Sequence, residues 1–275
     1  MPELPEVEQV VRALRPAMVG RRILAAELKL KRIAPDISRS AFARQLRNMR
    51  VVAVGRRGKY ILIELDNGRV LMTHLRMTGK FVSISSEESL PPYAHVIFHL
   101  DNDRRLVFCD MRQFGRMRIF TDSRRSPKEL LALAPEPLSE EFTQEYFRET
   151  LSRSRRSLKQ LLLDQTKVLG LGNIYAVEAL FLAGVSPLKP ADSLSKRRAE
   201  TLYHSIRETL QVAIDAGSTL RIDMGDGNGS YLGRTERFWN VYEREGEPCV
   251  NCGAKIRRVV QGARSTYFCP RCQRR

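Results

Sequence analysis

Four of the five cysteines stand in two close pairs, with the spacing Cys249-x2-Cys252-x16-Cys269-x2-Cys272. Two thiolate pairs separated by the length of one hairpin can complete a tetrahedral shell around zinc. The residues between and after the pairs include many basic ones and no acidic one, and their apolar residues suit two short strands. We therefore predict a zinc-stapled basic hairpin that offers its turn, Gln261-Gly262-Ala263-Arg264, to a polyanion. The alternative is a zinc knob with a purely structural role.

A second motif, Gly170-Leu171-Gly172-Asn173, is predicted to separate two helices. Glycines let the backbone approach a ligand closely, and the N–H groups at a helix start bind phosphate. We expect Asn173 to cap the second helix. An ordinary helix-turn-helix connection gives the same pattern. Basic side chains before the motif favour a clamp on a nucleic-acid backbone: Arg153, Arg155, Arg156 and Lys159.

The start of the chain, Met1-Pro2-Glu3, offers a nucleophile if the methionine is removed. The secondary amine of Pro2 would then have a pKa near an α-amino value of about 8, so part of it is unprotonated at neutral pH. Attack on a sugar C1′ would give an iminium, which acidifies the C2′ protons for elimination. Glu3 can shuttle protons, with Glu6 one helical turn further on. Taken alone, these residues are also an ordinary chain start.

Two loops carry further candidate groups. Arg56-Arg57-Gly58-Lys59 lies at a strand junction, where the lysine can contact a phosphate or assist proton transfer; a solvated turn is the alternative. A second loop leaves the predicted sheet at Arg112-Gln113-Phe114-Gly115 and carries a guanidinium and an aromatic ring. This pair of groups suits a protein that extrudes a base from DNA. A core phenylalanine and a surface arginine are the alternative there.

The elements that must position these groups divide into a β-rich part and a helical part. The spacing of apolar residues predicts an amphipathic helix over 6–15. Period-two runs and hairpin turns after it predict a β sandwich, in which Cys109 is a buried strand residue. The predicted strands are 51–54, 60–65, 70–75, 95–100 and 106–109.

Beyond residue 139 the pattern is helical. We predict helices over 156–164 and 174–183, and a third that Ser195 caps and that ends before Gly217. The predicted fold class is α+β. The predicted domains are an N-terminal catalytic β sandwich (1–122), a linker (123–138), a helical domain (139–240) and a zinc finger (241–275).

The composition of the chain indicates which class of partner it binds. The formal charge is +16 and the pI about 10.1, which favours polyanions through counterion release, although ribosome-associated and membrane-surface proteins can be equally basic. No apolar run reaches the ~20 residues that a membrane span needs, and the start of the chain is acidic rather than a basic signal-peptide start. We expect a soluble cytoplasmic protein, associated with the nucleoid and not with membranes.

Together these residues resemble the bacterial formamidopyrimidine-DNA glycosylase family, nearly from end to end. The resemblance rests on the opening Met1-Pro2-Glu3-Leu4-Pro5-Glu6-Val7-Glu8, the closing four-cysteine finger and several stretches between them. These stretches are Arg57-Gly58-Lys59-Tyr60, His74-Leu75-Arg76-Met77-Thr78-Gly79, Asp110-Met111-Arg112-Gln113-Phe114-Gly115, and one that runs from Leu163-Asp164-Gln165 through Gly172-Asn173-Ile174-Tyr175.

The resemblance implies a β sandwich with a flanking N-terminal helix, a helical domain with a helix-two-turn-helix element, and a β-hairpin zinc finger with one structural Zn2+. It implies a base excision repair enzyme that flips oxidised purines such as 8-oxoguanine and formamidopyrimidines out of double-stranded DNA, preferably opposite cytosine. The enzyme would release the base and cleave the backbone by β,δ-elimination, as a monomer.

The resemblance also implies roles for single residues. Pro2 would be the Schiff-base nucleophile, Glu3 the acid-base residue and Lys59 a phosphate-contacting helper. The implied intercalating residues are Met77, Arg112 and Phe114, with Arg112 facing the widowed cytosine. The implied phosphate contacts are His74, Asn173 and Arg264, and Arg264 would also be the proton donor in the eliminations.

One region departs from the family pattern. Gly217-Ser218-Thr219-Leu220-Arg221 matches it, but 222–239 does not, so the choice of base is less determined than the catalysis. Two other functions stay open. A relative of endonuclease VIII would prefer oxidised pyrimidines, although Leu4 and the Arg112 and Phe114 pair resemble the purine branch more. A damage-binding protein without catalysis would not need Pro2, Glu3 and Lys59.

Overall fold

The computed structural model describes residues 1–121, 127–217 and 239–274, which form two compact units. The first unit contains the described residues up to Leu131, and the second contains Ala132–Ala216 with the described residues from 239 onward. The predicted linker, 123–138, and the divergent segment, 222–239, lie partly outside the described residues. The four-part domain division stays a prediction.

The first unit begins with helix α1 (Leu4–Met18), which is longer than the predicted 6–15. Pro5 is tolerated in its first turn because the N–H that proline lacks has no partner there. The apolar residues recur at helical spacing and are all buried against the sheet: Leu4, Val7, Val10, Val11, Leu14 and Met18.

Eight strands follow, in the order β5-β7-β6-β1-β2-β3-β4-β8. The strands are β1 (Arg22–Leu28), β2 (Met49–Arg57), β3 (Tyr60–Leu65), β4 (Arg69–His74), β5 (Gly79–Ser85), β6 (Ala94–Leu100), β7 (Arg104–Asp110) and β8 (Arg116–Thr121). β1 and β2 are joined by only two residue pairs, so the sheet consists of two four-stranded halves. Buried residues of both halves share one core with α1, as predicted for a β sandwich with a flanking helix.

Some elements of this unit were not predicted. Helix α2 (Arg39–Leu46) buries only Phe42 and Leu46, so its apolar pattern is too sparse to detect. β1, β5 and β8 also lack a clear alternation, since β1 is rich in alanine and β8 mixes arginine with apolar residues. A short helix, α3 (Lys128–Leu131), ends the unit. Cys109 is a buried residue of β7, as predicted.

The second unit combines helices with a small hairpin. The helices are α4 (Gln144–Ser152), α5 (Leu158–Leu162), α6 (Asn173–Leu182) and α7 (Lys196–Asp215). The side chain of Ser195 accepts a hydrogen bond from Arg198 N, so the predicted cap of the third helix is confirmed. α7 packs against both α4 and α6, and the hairpin also packs against α6. No helix in the described ranges is long and apolar enough to cross a membrane.

The predicted hairpin near the end of the chain is present as strands β9 (Arg257–Gln261) and β10 (Arg264–Phe268). Gln261 pairs with Arg264, which leaves Gly262 and Ala263 as a two-residue turn. Both turn residues have positive φ, 54° and 58°, as a type I′ turn requires. The turn therefore lies where the sequence placed it.

Candidate active site and DNA interface

The amino-terminal end of α1 buries two carboxyl side chains, Glu3 and Glu6, each 3% exposed. One oxygen of Glu6 accepts a hydrogen bond from the backbone N–H of Glu3 at 2.8 Å, so Glu6 helps to fix the start of the helix. Pro2 is partly exposed. The result is a reachable proline directly before a buried carboxyl group.

Lys59 lies in a two-residue turn between β2 and β3, where Gly58 has φ +55°. The side chain of Lys59 is 5% exposed, so the solvated turn considered from the sequence is wrong for this lysine. The turn is held near α1 because Arg56 Nε lies 2.7 Å from a carboxylate oxygen of Glu8. Burial raises the pKa of Glu8, but the charges and hydrogen bonds of Arg56 and Arg12 together bring it below its ordinary value.

His74 ends β4 beside this turn. Burial, with the nearby positive charges of Arg76 and Lys59, lowers the pKa of His74 to about 3. The ring is therefore neutral at working pH. Its Nδ1 accepts a hydrogen bond from Arg76 N at 3.0 Å, which places the proton on Nε2. His74 is thus a neutral donor. The ring centroids of His74 and Tyr60 lie 4.8 Å apart, with the two rings perpendicular.

Two loops of the first unit present the predicted intercalating residues. Met77 follows β4, and Arg112 and Phe114 follow β7. Met77 is 45% exposed and Phe114 39%, so Phe114 is not the core residue that the sequence left open. The Arg112 guanidinium carbon lies 5.0 Å from the centre of the Phe114 ring. We call residues 75–78 and 111–114 the wedge loops.

Sequence reasoning gave no role to Asp110, the last residue of β7, although the residue stands in a quoted motif. Its side chain is fully buried and accepts hydrogen bonds from both wedge loops. The signal that could have found it is a carboxylate at a strand end directly before a loop with Arg112 and Phe114.

In the second unit, Lys159 and Asn173, which the sequence placed among the predicted DNA contacts, both form hydrogen bonds to the hairpin. Lys159 is fully buried, and its ammonium group donates to Ser265 O at 2.8 Å and to Thr266 Oγ1 at 2.7 Å. The proposal that Lys159 belongs to a surface clamp is therefore wrong. The prediction that Asn173 caps α6 is also wrong, because Gly172 is the capping residue and Asn173 Nδ2 donates to Ser265 O at 3.0 Å.

The arginines near the glycine motif remain on the surface. Arg156 pairs with Asp164 at 2.9 Å, Arg153 pairs with Glu149, and the Arg155 side chain is 97% exposed. Arg264 is exposed at the start of β10. These side chains can therefore meet a polyanion from solvent.

A second residue missed by sequence reasoning is Glu178 on α6. Its buried carboxylate accepts four N–H donors at 2.9 to 3.0 Å, from the backbone of Asn240, Val241 and Tyr242 and from the Asn240 side chain. A glutamate in an apolar helix is the signal that could have found it. Glu178 ties residues 240–242, which precede the zinc finger, to α6.

The four cysteines of the finger fit a zinc ion. Their sulfur atoms all lie within 4.8 Å of one another, and none forms a disulfide. Tetrahedral Zn–S bonds of about 2.3 Å require sulfur atoms about 3.8 Å apart. Cys249 and Cys272 are 3.8 Å apart, and Cys252 and Cys269 are 3.5 Å apart.

Profiles of known families match three consecutive parts of the chain. The formamidopyrimidine-DNA glycosylase N-terminal domain matches residues 1–117, and the H2TH domain of the same glycosylase matches 133–223. A zinc finger found in FPG and IleRS matches 246–275. The chain belongs to the formamidopyrimidine-DNA glycosylase family. Cys249, Cys252, Cys269 and Cys272 accordingly hold one structural zinc ion.

Relatives in this family align over the whole chain. The formamidopyrimidine-DNA glycosylase of Pelotomaculum thermopropionicum is 44% identical over 275 residues, covering 100% of this chain and 99% of its own. The Bacillus subtilis protein of the same name is 42% identical over 279 residues, with 99% of each chain covered.

Solved structures of the family also align. The Lactococcus lactis Fpg in complex with DNA that contains an abasic site superposes with a TM-score of 0.90 at 35% identity, covering 99% of this chain and all of the other. The wild-type Lactococcus lactis enzyme with DNA that contains N7-benzyl-Fapy-dG gives a TM-score of 0.90 at 35% identity, with both chains covered completely.

Proposed function

We propose that the chain is a bifunctional DNA glycosylase and AP lyase of base excision repair that releases oxidised purines from duplex DNA. The observation that carries the proposal is the reachable Pro2 directly before the buried Glu3, in a chain of this family. The DNA in the relatives' complexes contains an abasic site or a formamidopyrimidine, which supports this class of substrate.

Pro2 is the nucleophile of the proposed reaction. After removal of Met1, its neutral amine attacks C1′, the N–C1′ bond forms, and the C1′–N bond to the base breaks. The base leaves with the proton that the attacking amine loses. The C1′–O4′ bond then breaks and O4′ takes a proton, so the ring-opened sugar remains as an iminium on Pro2. Glu3 is suited to move protons in these steps because it is adjacent to Pro2 and shielded from water.

The iminium then drives strand cleavage. Loss of a C2′ proton breaks the bond from C3′ to its phosphate oxygen. Loss of the C4′ proton then breaks the bond from C5′ to its phosphate oxygen, which releases the second phosphate. We assign Arg264 as a proton donor in these eliminations. We assign Lys59 as a cation that contacts a phosphate, and Pro2 as the attacking amine.

Binding of the lesion uses side chains of each unit. In the first unit, Met77 and Phe114 fill the space of the flipped nucleotide, and the Arg112 guanidinium donates to the acceptor edge of the opposite cytosine. His74 donates Nε2–H to a phosphate. In the second unit, Arg264 and the second amide hydrogen of Asn173 contact phosphates. The protein acts as a monomer.

Borohydride trapping tests the reaction directly. Wild-type protein, of known intact mass so that removal of Met1 is established, is incubated with duplex DNA that contains 8-oxoguanine opposite cytosine. We expect a covalent adduct that peptide mass spectrometry places on Pro2. Pro2→Gly should lose strand cleavage, and Glu3→Gln should bind the duplex but fail to release the base.

Three outcomes would contradict the proposal. An adduct on Lys59 would overturn the nucleophile. Tight lesion binding without any adduct or base release would indicate a binding protein. Faster release of thymine glycol than of 8-oxoguanine would assign the chain to the pyrimidine-selective relatives.

A further inference from the structure

We propose that Asp110 is a positioning residue which, together with Thr78, locks the two wedge loops into the geometry that inserts into DNA. The inference rests on the proposed function of Met77, Arg112 and Phe114. Asp110 does not touch DNA in this proposal, and it acts only through the loops that do.

The Asp110 carboxylate links both loops. One oxygen, Oδ2, accepts a hydrogen bond from Gly115 N at 2.7 Å. The other, Oδ1, accepts from Arg112 N at 3.2 Å and from the Thr78 hydroxyl. Thr78 Oγ1 in turn lies 3.1 Å from Arg112 N. The loop with Met77 and the loop with Arg112 and Phe114 are therefore joined through one buried anion.

The sheet fixes the position of this anion. Asp110 pairs with Gly79 across β5 and β7, its backbone N–H donates to Tyr93 O at 3.1 Å, and its carbonyl lies 2.9 Å from His95 Nε2. The carboxylate thus has a rigid backbone on one side and two loops on the other. Rigid support of this kind determines how accurately a loop presents its side chains.

Close packing at the ends of the wedge loops restricts their backbone conformation. A Cβ on Gly79 would lie 2.4 Å from Leu75 O, and a Cβ on Gly115 would lie 2.6 Å from the Phe108 ring. Gln113 between Arg112 and Phe114 has φ +57°, a conformation that non-glycine residues seldom adopt. The hydrogen bonds to Asp110 offset this strain and set the direction in which Arg112 and Phe114 leave the sheet.

The charge of Asp110 matters as well as its shape. All its side-chain partners are donors, so an amide in its place would turn an N–H2 group toward one of them. A buried donor that loses its acceptor is destabilised, and the loop would move to find water. A pre-organised wedge removes this reorganisation from the step in which the base is flipped.

The experiment separates insertion from catalysis. Single-turnover base release is measured on 8-oxoguanine opposite cytosine and on 8-oxoguanine opposite a one-nucleotide gap, where no partner base must be held. Asp110→Asn and Thr78→Val should slow release from the full duplex by about tenfold or more, as the loss of a charge-assisted bond implies. Release from the gapped duplex should change far less. Thr78→Ser keeps the hydroxyl and should behave as wild type.

Equal loss on both duplexes, or no loss on either, would overturn the positioning role. Phe114→Ala distinguishes this failure from a failure of the proposed function. If Phe114→Ala shows no loss specific to the full duplex, the assignment of the wedge itself is wrong. If it shows that loss and Asp110→Asn and Thr78→Val do not, only the role of Asp110 is wrong. Thr78→Val keeps the test valid if Asp110→Asn does not fold.

Discussion

The two units hold their candidate functional side chains by different physical means. In the first unit, Lys59, His74 and the wedge loops stand at strand ends of an eight-stranded sheet with one large apolar core. In the second unit, Arg264 stands on a hairpin of two five-residue strands. A two-stranded hairpin is marginally stable by itself.

The second unit therefore needs cross-links where the first uses its core. Zinc joins the two ends of the hairpin region, and Lys159 and Asn173 attach β10 to the helices. Gln273 adds a further bond, because its amide donates to Val185 O at 3.0 Å. The comparison shows that polar and metal contacts can supplement a small apolar cluster where an element is too small for a large core.

Removal of zinc should give the largest effect and should be confined to the second unit. Structural zinc sites contribute on the order of 10 kcal/mol to folding, so Cys269→Ser should disorder the hairpin while the β sandwich stays folded. Limited proteolysis should cut the region after residue 241 first, and lesion binding should be lost. Wild-type protein without stoichiometric zinc would contradict this account.

Lys159→Met should weaken the attachment of the hairpin without removing the metal. The change leaves Ser265 O and Thr266 Oγ1 without a charged donor, and we expect a loss of about 2–3 kcal/mol in the free energy of unfolding. Zinc content should stay at one per chain, while affinity for DNA falls. Arg156→Met is the matched control, since it breaks a surface pair with Asp164 and should cost less than about 1 kcal/mol. Equal losses in the free energy of unfolding for Lys159→Met and Arg156→Met would mean that burial of Lys159 is unimportant.

Arg264→Ala should test the contribution of the hairpin surface to DNA binding without a change in the fold of the hairpin. Loss of one phosphate contact should weaken binding to any duplex and lower the slope of log affinity against log salt by about 1. Zinc content and thermal unfolding should stay unchanged. Arg44→Ala on α2, also exposed, should leave the slope as in wild type. An unchanged slope in Arg264→Ala would remove Arg264 from the interface.

Glu8→Gln, in the first unit, should have the smallest effect on stability. The effect should be present at pH 7 and absent at pH 3. Because the folded-state pKa of Glu8 is lowered, the ionised group stabilises the fold above the ordinary glutamate pKa of about 4.3. That contribution is lost as the pH falls through the lower folded-state pKa. At pH 7 we expect the free energy of unfolding of the wild type to exceed that of Glu8→Gln by at most about 1 kcal/mol, because the pair of Glu8 and Arg56 is partly exposed to solvent. Denaturant unfolding at pH 7 and at pH 3 should show the difference disappear, and a difference that grows at pH 3 would contradict it.

Much of the fold followed from local patterns. The period-two runs and the hairpin turns placed five of the eight strands in the sheet of the first unit, and the Gly262 and Ala263 turn lay at the predicted residues. The strands and the helices α2, α3 and α4 that were missed have few buried residues or no clear alternation, and the elements packed beside them stabilise them. Contacts distant in sequence supply what the local pattern lacks.

The sequence by itself determined which chemistry was available: two thiolate pairs, a proline behind the first methionine, and an excess of positive charge. Only the tertiary structure decided what each charged group does. Lys59 and Lys159 look alike in sequence, yet Lys159 is bound to a carbonyl 106 residues away, and Asp110 gains one of its partners, Thr78, from a loop 32 residues earlier. Burial and hydrogen-bond partners depend on such distant contacts, and no local pattern contains them.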